Sequence, residues 1–218
     1  MRREERYRYV VDHFRREMPE ADTELCYGST FQLLVAVMLS AQCTDKRVNQ
    51  VTPALFARYP DARAMAEAEA DEVLEYISSV SYPNAKSRHL VQMARLLMAH
   101  HQGHVPTTIE ELMQLPGVGR KTANVMVAVA FGGQAMPVDT HVFRVSHRLG
   151  LVAPADNTPL KVETTLRRYL PEDVLSLAHH WLLLHGRYVC TARAPHCDKC
   201  EIKEACKSYP LNPKIQII

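Results

Sequence analysis

The segment Leu115-Pro116-Gly117-Val118-Gly119-Arg120-Lys121-Thr122 holds two of the chain's eight glycines. Helical periodicity precedes this segment, and an apolar helical run follows it. Closely spaced glycines allow the backbone to turn sharply and let a bulky ligand approach its amides. Amides exposed at the start of the next helix suit a phosphate. The segment therefore predicts a phosphate-binding hairpin between two helices, with an ordinary tight turn as the simpler alternative.

Two other nucleotide-binding loops are excluded by the same residues. A Walker A loop requires glycine directly before its lysine and another glycine five residues earlier, but Arg120 and Leu115 occupy those positions. A dinucleotide-binding loop requires glycine or alanine at the position of Thr122 and a preceding strand, and neither is found.

Helical spacing of apolar residues continues on both sides of the hairpin. The run Phe31–Ala41 is apolar on nearly all sides and predicts a central buried helix capped by Thr30. A long amphipathic helix is predicted over 85–101, and an apolar helix over 122–131 that Gly132-Gly133 ends. Because no segment alternates apolar and polar residues with the period of a strand, the predicted fold class is all-α.

Composition narrows the class of protein further. The chain has 218 residues, of which 47% are hydrophobic and 23% are charged, as in ordinary globular proteins. A formal net charge of +2 excludes a highly basic nucleic-acid coat, so any contact with nucleic acid must use a local patch. The longest apolar stretch is too short to span a bilayer. No apolar run follows the charged N-terminal residues, so we expect no secretory signal, no membrane association and a cytoplasmic location.

Four of the six cysteines are clustered, with the spacing Cys190-x6-Cys197-x2-Cys200-x5-Cys206. In a reducing compartment such a cluster indicates a metal or iron–sulfur site. One close pair flanked by wider arms favours a [4Fe–4S] cluster, while His185 and His196 keep a zinc site open. From residue 187 onward six basic residues, Lys214 among them, face three acidic ones, so this segment could contact phosphates.

A lysine and an aspartate are the candidates for chemistry. Lys121 is predicted at a helix start, where the helix dipole and Arg120 disfavour its protonated form, and a neutral amine is a nucleophile that can form a Schiff base. Its simpler role is a solvated phosphate-binding lysine. Asp139 precedes a helical run and is expected to cap that helix. A carboxylate can serve as cap and catalyst only if one oxygen remains free.

Together, the octapeptide, the later segment Val138-Asp139-Thr140-His141 and the cysteine spacing resemble the endonuclease III family of helix–hairpin–helix DNA glycosylases. The resemblance covers about Phe31 to Cys206. It implies a two-lobed fold in which residues 23–133 form a six-helix barrel domain containing the hairpin. Residues 1–22 and 134–218 would then form the helical iron–sulfur cluster domain.

The resemblance also implies a function and assigns residues to it. It implies a monomeric base-excision enzyme that removes oxidised pyrimidines from double-stranded DNA and cleaves 3′ to abasic sites by β-elimination. The enzyme would be associated with the nucleoid when bound to damaged or abasic DNA. Lys121 and Asp139 are the implied catalytic pair, and the four clustered cysteines are the implied ligands of the [4Fe–4S] cluster. The implied DNA contacts are Gln42, Asp45, Tyr82, Gly117, Gly119, Arg120, Thr122 and Arg193.

The chain departs from the family pattern at Val80-Ser81-Tyr82-Pro83-Asn84-Ala85-Lys86. The family usually shows glycine, an apolar wedge residue and an aromatic residue there, whereas this chain has Ser81, Tyr82 and Pro83. In this register Tyr82 is the predicted wedge and would stack on bases as well as displace them. Gln42 is the residue that would fill the gap left by the flipped nucleotide, and a helix cap is the simpler role of Asp45.

Two alternatives remain, of which one is a closely related enzyme and the other belongs to a different functional class. A monofunctional mismatch glycosylase of the same superfamily usually lacks lysine at the position of Lys121. A non-catalytic DNA-binding or electron-transfer module would explain the glycines and the cysteines but would leave Lys121 and Asp139 without a role.

Overall fold

The computed structural model describes residues 1–210, and the expectations that concern residues 211–218, including Lys214, lie outside them. The described residues contain no β-strand, so the all-α prediction is confirmed. None of the helices in this range is long and apolar enough to cross a membrane. The α-helices are α1 (Arg3–Glu17), α2 (Thr30–Ser40), α3 (Asp45–Arg58), α4 (Ala62–Ala66), α5 (Ala70–Ile77), α6 (Pro83–His101), α7 (Ile109–Leu112), α8 (Arg120–Val125), α9 (Thr140–Leu149), α10 (Pro159–Tyr169) and α11 (Leu175–Tyr188).

The chain divides into two compact units. The boundaries lie after Asp22 and after Gly132, so that one unit is formed by two separate segments of the chain. The hairpin unit is Thr23–Gly132 and contains α2 to α8. The cysteine unit contains α1 from the start of the chain and everything described from Gly133 onward. The interpretation of these units as a six-helix barrel and an iron–sulfur domain stays a prediction.

Helix α2 is the central element of the hairpin unit. Leu33, Leu34 and Leu39 are fully buried, because this helix is apolar on nearly every side and must be surrounded by other elements. Around it, α6 packs against α4 and α5. The N-cap of α2 is Ser29, whose Oγ accepts the amide of Gln32 at 3.2 Å. The predicted cap, Thr30, is wrong by one residue and is instead the first residue of the helix.

The cysteine unit joins the first helix to the last one. Trp181 on α11 is 1% exposed, and its Nε1 donates to the carbonyl of Met18 at 2.7 Å. Its ring stacks on Phe14 of α1 with 5.8 Å between the ring centroids. A buried indole that finds both an apolar neighbour and an acceptor is a strong anchor. Helix α1 is therefore an integral part of the unit that carries the cysteines.

Candidate functional site

The hairpin lies between α7 and α8. Leu115 and Val118 are buried beneath it, and the amide of Val118 donates to the carbonyl of Leu115 at 3.1 Å. Gly117 has φ +79°, and a Cβ at this position would lie 3.0 Å from atoms of both His89 and Met38. The positive φ therefore favours glycine at position 117, and a Cβ there would make unusually close contacts with two side chains. At Gly119 a Cβ would meet no atom within 4 Å, so the backbone there faces open space.

Helix α8 starts directly after this turn and carries the candidate nucleophile. Gly119 is its N-cap, Arg120 its first residue and Lys121 its second. Both cationic side chains are exposed, whereas Thr122 is buried against the unit. After Val125 the helix continues as a π-helical turn, Met126–Ala130. The structure thus places the Lys121 amine where a bulky ligand can reach it.

Asp139 is the N-cap of α9, as its position predicts. Its Oδ1 accepts the amide of Val142 at 2.8 Å, and the side chain is half-buried. Within the described part of its own unit, no hydrogen-bond donor reaches Oδ2. The preceding backbone is held by the buried His179, whose Nδ1 donates to the carbonyl of Pro137 at 2.9 Å. The cap hydrogen bond thus uses only one of the two carboxylate oxygens.

Gln42 and Tyr82 lie on two loops of the hairpin unit. The Gln42 loop (41–44) joins α2 to α3, and the Tyr82 loop (78–82) joins α5 to α6. Both side chains are exposed, and both residues have left-handed backbones, with φ of +54° and +56°. That conformation costs an L-residue about 1–2 kcal/mol, so surrounding contacts must hold each loop in place. One such contact joins the loops, because the Ser81 hydroxyl donates to the Gln42 carbonyl at 2.7 Å.

Asp45 is the first residue of α3 and is half-buried. The cap of α3 is Thr44, whose hydroxyl oxygen accepts the amide of Arg47 at 3.2 Å. The helix-cap role considered for Asp45 is therefore wrong, and its position beside the Gln42 loop leaves a role in contacting DNA as a prediction.

Lys86 is a residue that sequence reasoning missed. It is only 8% exposed, and its ammonium donates to the carbonyls of Leu39 and Ala41, both at 2.7 Å. Burial lowers the pKa of Lys86, and the nearby Cys43 thiol opposes that effect. The last carbonyls of a helix have no partner within the helix, so this ammonium supplies one where α2 ends. A lysine within an amphipathic helix gave no signal of this role.

The four clustered cysteines come together in the cysteine unit. All four line one cavity of about 350 Å³, a volume that includes its open mouth, and the cavity is also lined by His185 and His196. Among residues 1–210, no three His, Cys, Asp or Glu side chains are arranged to hold a single metal ion. The other two cysteines lie outside this cavity. The cavity lining contains Cys190, Cys197, Cys200 and Cys206.

The electrostatics of this cavity disfavour free thiolates. Burial raises the pKa of Cys197, Cys200 and Cys206, and neighbouring cysteines raise each of them further. Burial also lowers the pKa of His185 to about 4, with His13 contributing. The Nε2 of His185 lies 3.8 Å from the Cys200 sulfur. Four thiolates can therefore share this cavity only if a cationic group compensates their charge.

Two arginines of α9, the buried Arg148 and the half-buried Arg144, hold the backbone around the cysteines. Arg148, 6% exposed, donates to the carbonyls of Thr191 at 2.7 Å and Ala192 at 2.8 Å, and to the Cys190 sulfur at 3.5 Å. Arg144, one helical turn earlier on α9, donates to the Cys190 carbonyl at 3.2 Å. Sequence reasoning missed both, whereas Arg193, the predicted DNA contact in this loop, is exposed.

We expect Arg148→Met to destabilise the protein by about 3 kcal/mol, because it leaves two carbonyls of the cysteine loop without their donor. Urea unfolding of the purified protein measures this change. Lys199→Ala is the matched control, since this exposed cation lies on the same loop, and we expect it to change stability by less than about 0.5 kcal/mol. Equal effects of the two substitutions would contradict a supporting role for Arg148.

Comparison with known proteins places the chain among DNA repair enzymes. A family model described as HhH-GPD superfamily base excision DNA repair protein matches residues 35–172. The chain is similar to the endonuclease III of Rickettsia felis, with 46% identity over 200 residues, covering 92% of this chain and 93% of that protein. Its identity to the endonuclease III of Escherichia coli K12 is 41% over 198 residues, covering 91% and 93%.

A solved structure shows the same architecture. A trapped endonuclease III–DNA covalent intermediate, described as an estranged-adenine complex, superposes with a TM-score of 0.89 and 42% identity. The match covers 95% of this chain and 97% of that one. The predicted helix–hairpin–helix DNA glycosylase fold is confirmed by this agreement.

Proposed function

The chain belongs to the endonuclease III family of the HhH-GPD superfamily and is a base excision repair DNA glycosylase. From this premise we propose that it is bifunctional, with both DNA glycosylase and AP lyase activity. The proposed substrates are oxidised pyrimidines in double-stranded DNA, and the second activity is AP lyase cleavage 3′ to the abasic site. The enzyme acts as a monomer in the cytoplasm, associated with the nucleoid when bound to DNA. The observation that carries the proposal is the exposed Lys121, in the first turn of a helix that follows a glycine hairpin.

Lys121 is the proposed nucleophile. Its neutral amine attacks C1′ of the damaged nucleotide, the bond from C1′ to the base breaks, and the electron pair leaves with the base. Opening of the sugar ring gives an imine between C1′ and Nζ. Loss of a C2′ proton then forms a C2′=C3′ double bond and breaks the C3′–O bond by β-elimination, so that the strand on the 3′ side leaves with a 5′ phosphate. Water hydrolyses the imine and returns the free lysine.

Asp139 is the proposed electrostatic and proton-transfer partner. Departure of the base builds positive charge on the sugar, and a carboxylate stabilises that charge or accepts a proton from the amine. The oxygen that caps α9 fixes the side chain, and the other oxygen is the one that acts. The cap and the catalyst are in this way the same residue.

The proposed DNA contacts divide into two sets. The backbone at Gly117 and Gly119 binds a phosphate, with Arg120 and Thr122 beside it, because the turn leaves its backbone facing open space. Gln42 and Tyr82 fill the gap that the extruded nucleotide leaves in the duplex, since a base inside the stack is out of reach of the enzyme. Asp45 lies next to the Gln42 loop, and Arg193 contacts phosphate from the cysteine loop.

We also propose that the four clustered cysteines hold a [4Fe–4S] cluster. The donor set fits, because four thiols line one cavity whose burial and mutual repulsion disfavour thiolates without a cationic group. When bound, the cluster supplies a structural cross-link of the loop and supports DNA docking. The cluster takes no part in removing the base.

Substituting Lys121→Ala is expected to abolish covalent trapping, because no amine remains to form the imine. The measurement is borohydride trapping on duplex DNA with one abasic site, together with a binding assay that we expect to change little. Lys161→Ala, an exposed lysine on α10, is the matched control and is expected to trap normally. Trapping by the Lys121 variant would remove this residue from the mechanism, and no trapping by the parent protein would favour a monofunctional glycosylase.

For Asp139→Asn we expect base excision to slow by about 100-fold or more, because the carboxylate charge is lost. Stability is expected to change by less than about 0.5 kcal/mol, since asparagine caps a helix about as well as aspartate. Single-turnover excision and urea unfolding separate the two effects. The control is Asp61→Asn, which alters the equivalent cap of α4 and should leave excision unchanged. Unimpaired excision by the Asp139 variant would reduce Asp139 to a cap.

Replacing any one of Cys190, Cys197, Cys200 or Cys206 by serine is expected to lose visible absorbance and soluble yield, because a cluster ligand is removed. Visible spectra and analysis for iron, sulfide and zinc measure this outcome. Cys26→Ser is the control, since that exposed thiol does not line the cavity, and it should retain full colour. Stoichiometric zinc in the parent protein would contradict the iron–sulfur assignment.

A further inference from the structure

The two loops that carry Gln42 and Tyr82 are cross-linked before any DNA is bound. The Ser81 hydroxyl donates to the carbonyl of Gln42 at 2.7 Å. Because Ser81 directly precedes Tyr82, this bond joins the Tyr82 loop to the backbone of Gln42. Lys86, in the first turns of α6, donates from the same side to Leu39 and Ala41. Three hydrogen bonds thus connect the α5–α6 side of the unit to the end of α2.

The backbone shows why this cross-link matters. Gln42 and Tyr82 both hold the left-handed conformation that L-residues disfavour, and both point exposed side chains outward. A loop in this conformation relaxes unless its surroundings fix it. Lys86 fixes the carbonyls before Gln42, and Ser81 fixes the carbonyl of Gln42 itself, which is the strained residue. The serine bond therefore acts at the point of strain.

We propose that Ser81 is a positioning residue that joins the Gln42 loop and the Tyr82 loop into one preorganised wedge for opening the DNA stack. This inference rests on the proposed function. Ordering two loops during binding costs conformational entropy, and loops already joined have lost that freedom before DNA arrives. Glycine, which the family resemblance leads one to expect at position 81, has no hydroxyl and cannot form this bond.

The proposal separates two reactions of the same enzyme. A paired oxidised pyrimidine must be unstacked before it reacts, so its removal depends on the wedge. An abasic nucleotide has no base to unstack, so the lyase step on such a site depends on the wedge far less. Loss of the Ser81 bond should therefore slow base release more than it slows cleavage of an abasic site.

The test compares Ser81→Ala with the parent protein under single-turnover conditions. On a duplex with one thymine glycol we expect base release to slow about 3- to 10-fold, the effect of losing one hydrogen bond. On the same duplex with an abasic site we expect the cleavage rate to stay within about twofold. Equal slowing of both reactions, or no slowing of base release, would overturn the proposal.

Two further variants make the result specific to the hydroxyl. Ser81→Thr retains a hydroxyl and is expected to restore base release. Ser78→Ala is the matched control, because Ser78 is an exposed serine on the same loop. Its hydroxyl donates to the backbone carbonyl of Glu75 in α5 and makes no bond to the Gln42 loop. This variant should behave as the parent protein does. Failure of threonine to restore base release, or equal slowing by Ser78→Ala, would overturn the role of the bond.

A measurement without DNA keeps the inference separate from the proposed function. Hydrogen exchange of the free protein, read on peptides covering residues 41–44, should be faster in Ser81→Ala than in the parent protein and in Ser78→Ala. Absence of activity in the parent protein would defeat the proposed function, and the exchange result would still decide whether the cross-link exists. Unchanged exchange in Ser81→Ala would overturn the cross-link itself.

Discussion

The structure depends on buried cations that satisfy backbone carbonyls where regular helix stops. Lys86 does this at the end of α2, and Arg148 does it along the cysteine loop, where the half-buried Arg144 adds a further bond to a carbonyl. Arg6, on α1, donates to the carbonyl of Ala205 at 2.6 Å and so ties down the turn that precedes Cys206. Irregular backbone inside a protein needs partners, and an all-helical fold has no neighbouring strand to supply them. Long cationic side chains reach several carbonyls at once, so a few of them fix loops that carry function.

This arrangement explains why the candidate functional residues are exposed and yet held in place. Gln42, Tyr82 and Lys121 all reach solvent, but each follows or precedes a residue that is buried or hydrogen-bonded. At the hairpin the constraint lies at Gly117, whose φ of +79° favours glycine and where a Cβ would lie only 3.0 Å from atoms of His89 and Met38. Binding residues on loops need a rigid support to act with precision. In this protein that support comes from a glycine turn at the hairpin, and from the Ser81 hydroxyl and the buried Lys86 ammonium at the Gln42 and Tyr82 loops.

In the cysteine cavity the buried charge would be negative, because it would lie on the thiol groups. Burial disfavours ionisation of its thiols, and its loop is held by Arg148, whose guanidinium also donates to the sulfur of Cys190. Ionisation of all four thiols would therefore require a further cationic group among the sulfurs. The proposed cluster would supply this group, and the arginines would orient the loop toward the ligands.

The sequence by itself determined the helical class, the hairpin glycines, the cap at Asp139 and the grouping of four cysteines, because each depends on neighbours close along the chain. The tertiary structure alone decided that Ser29 and Thr44 are caps in place of Thr30 and Asp45, and that Ser81, Lys86 and Arg148 hold the loops. Cap choice depends on the direction in which the chain enters a helix, which local propensity does not set. The loop contacts join residues as much as 47 positions apart, so their partners exist only after the helices have packed.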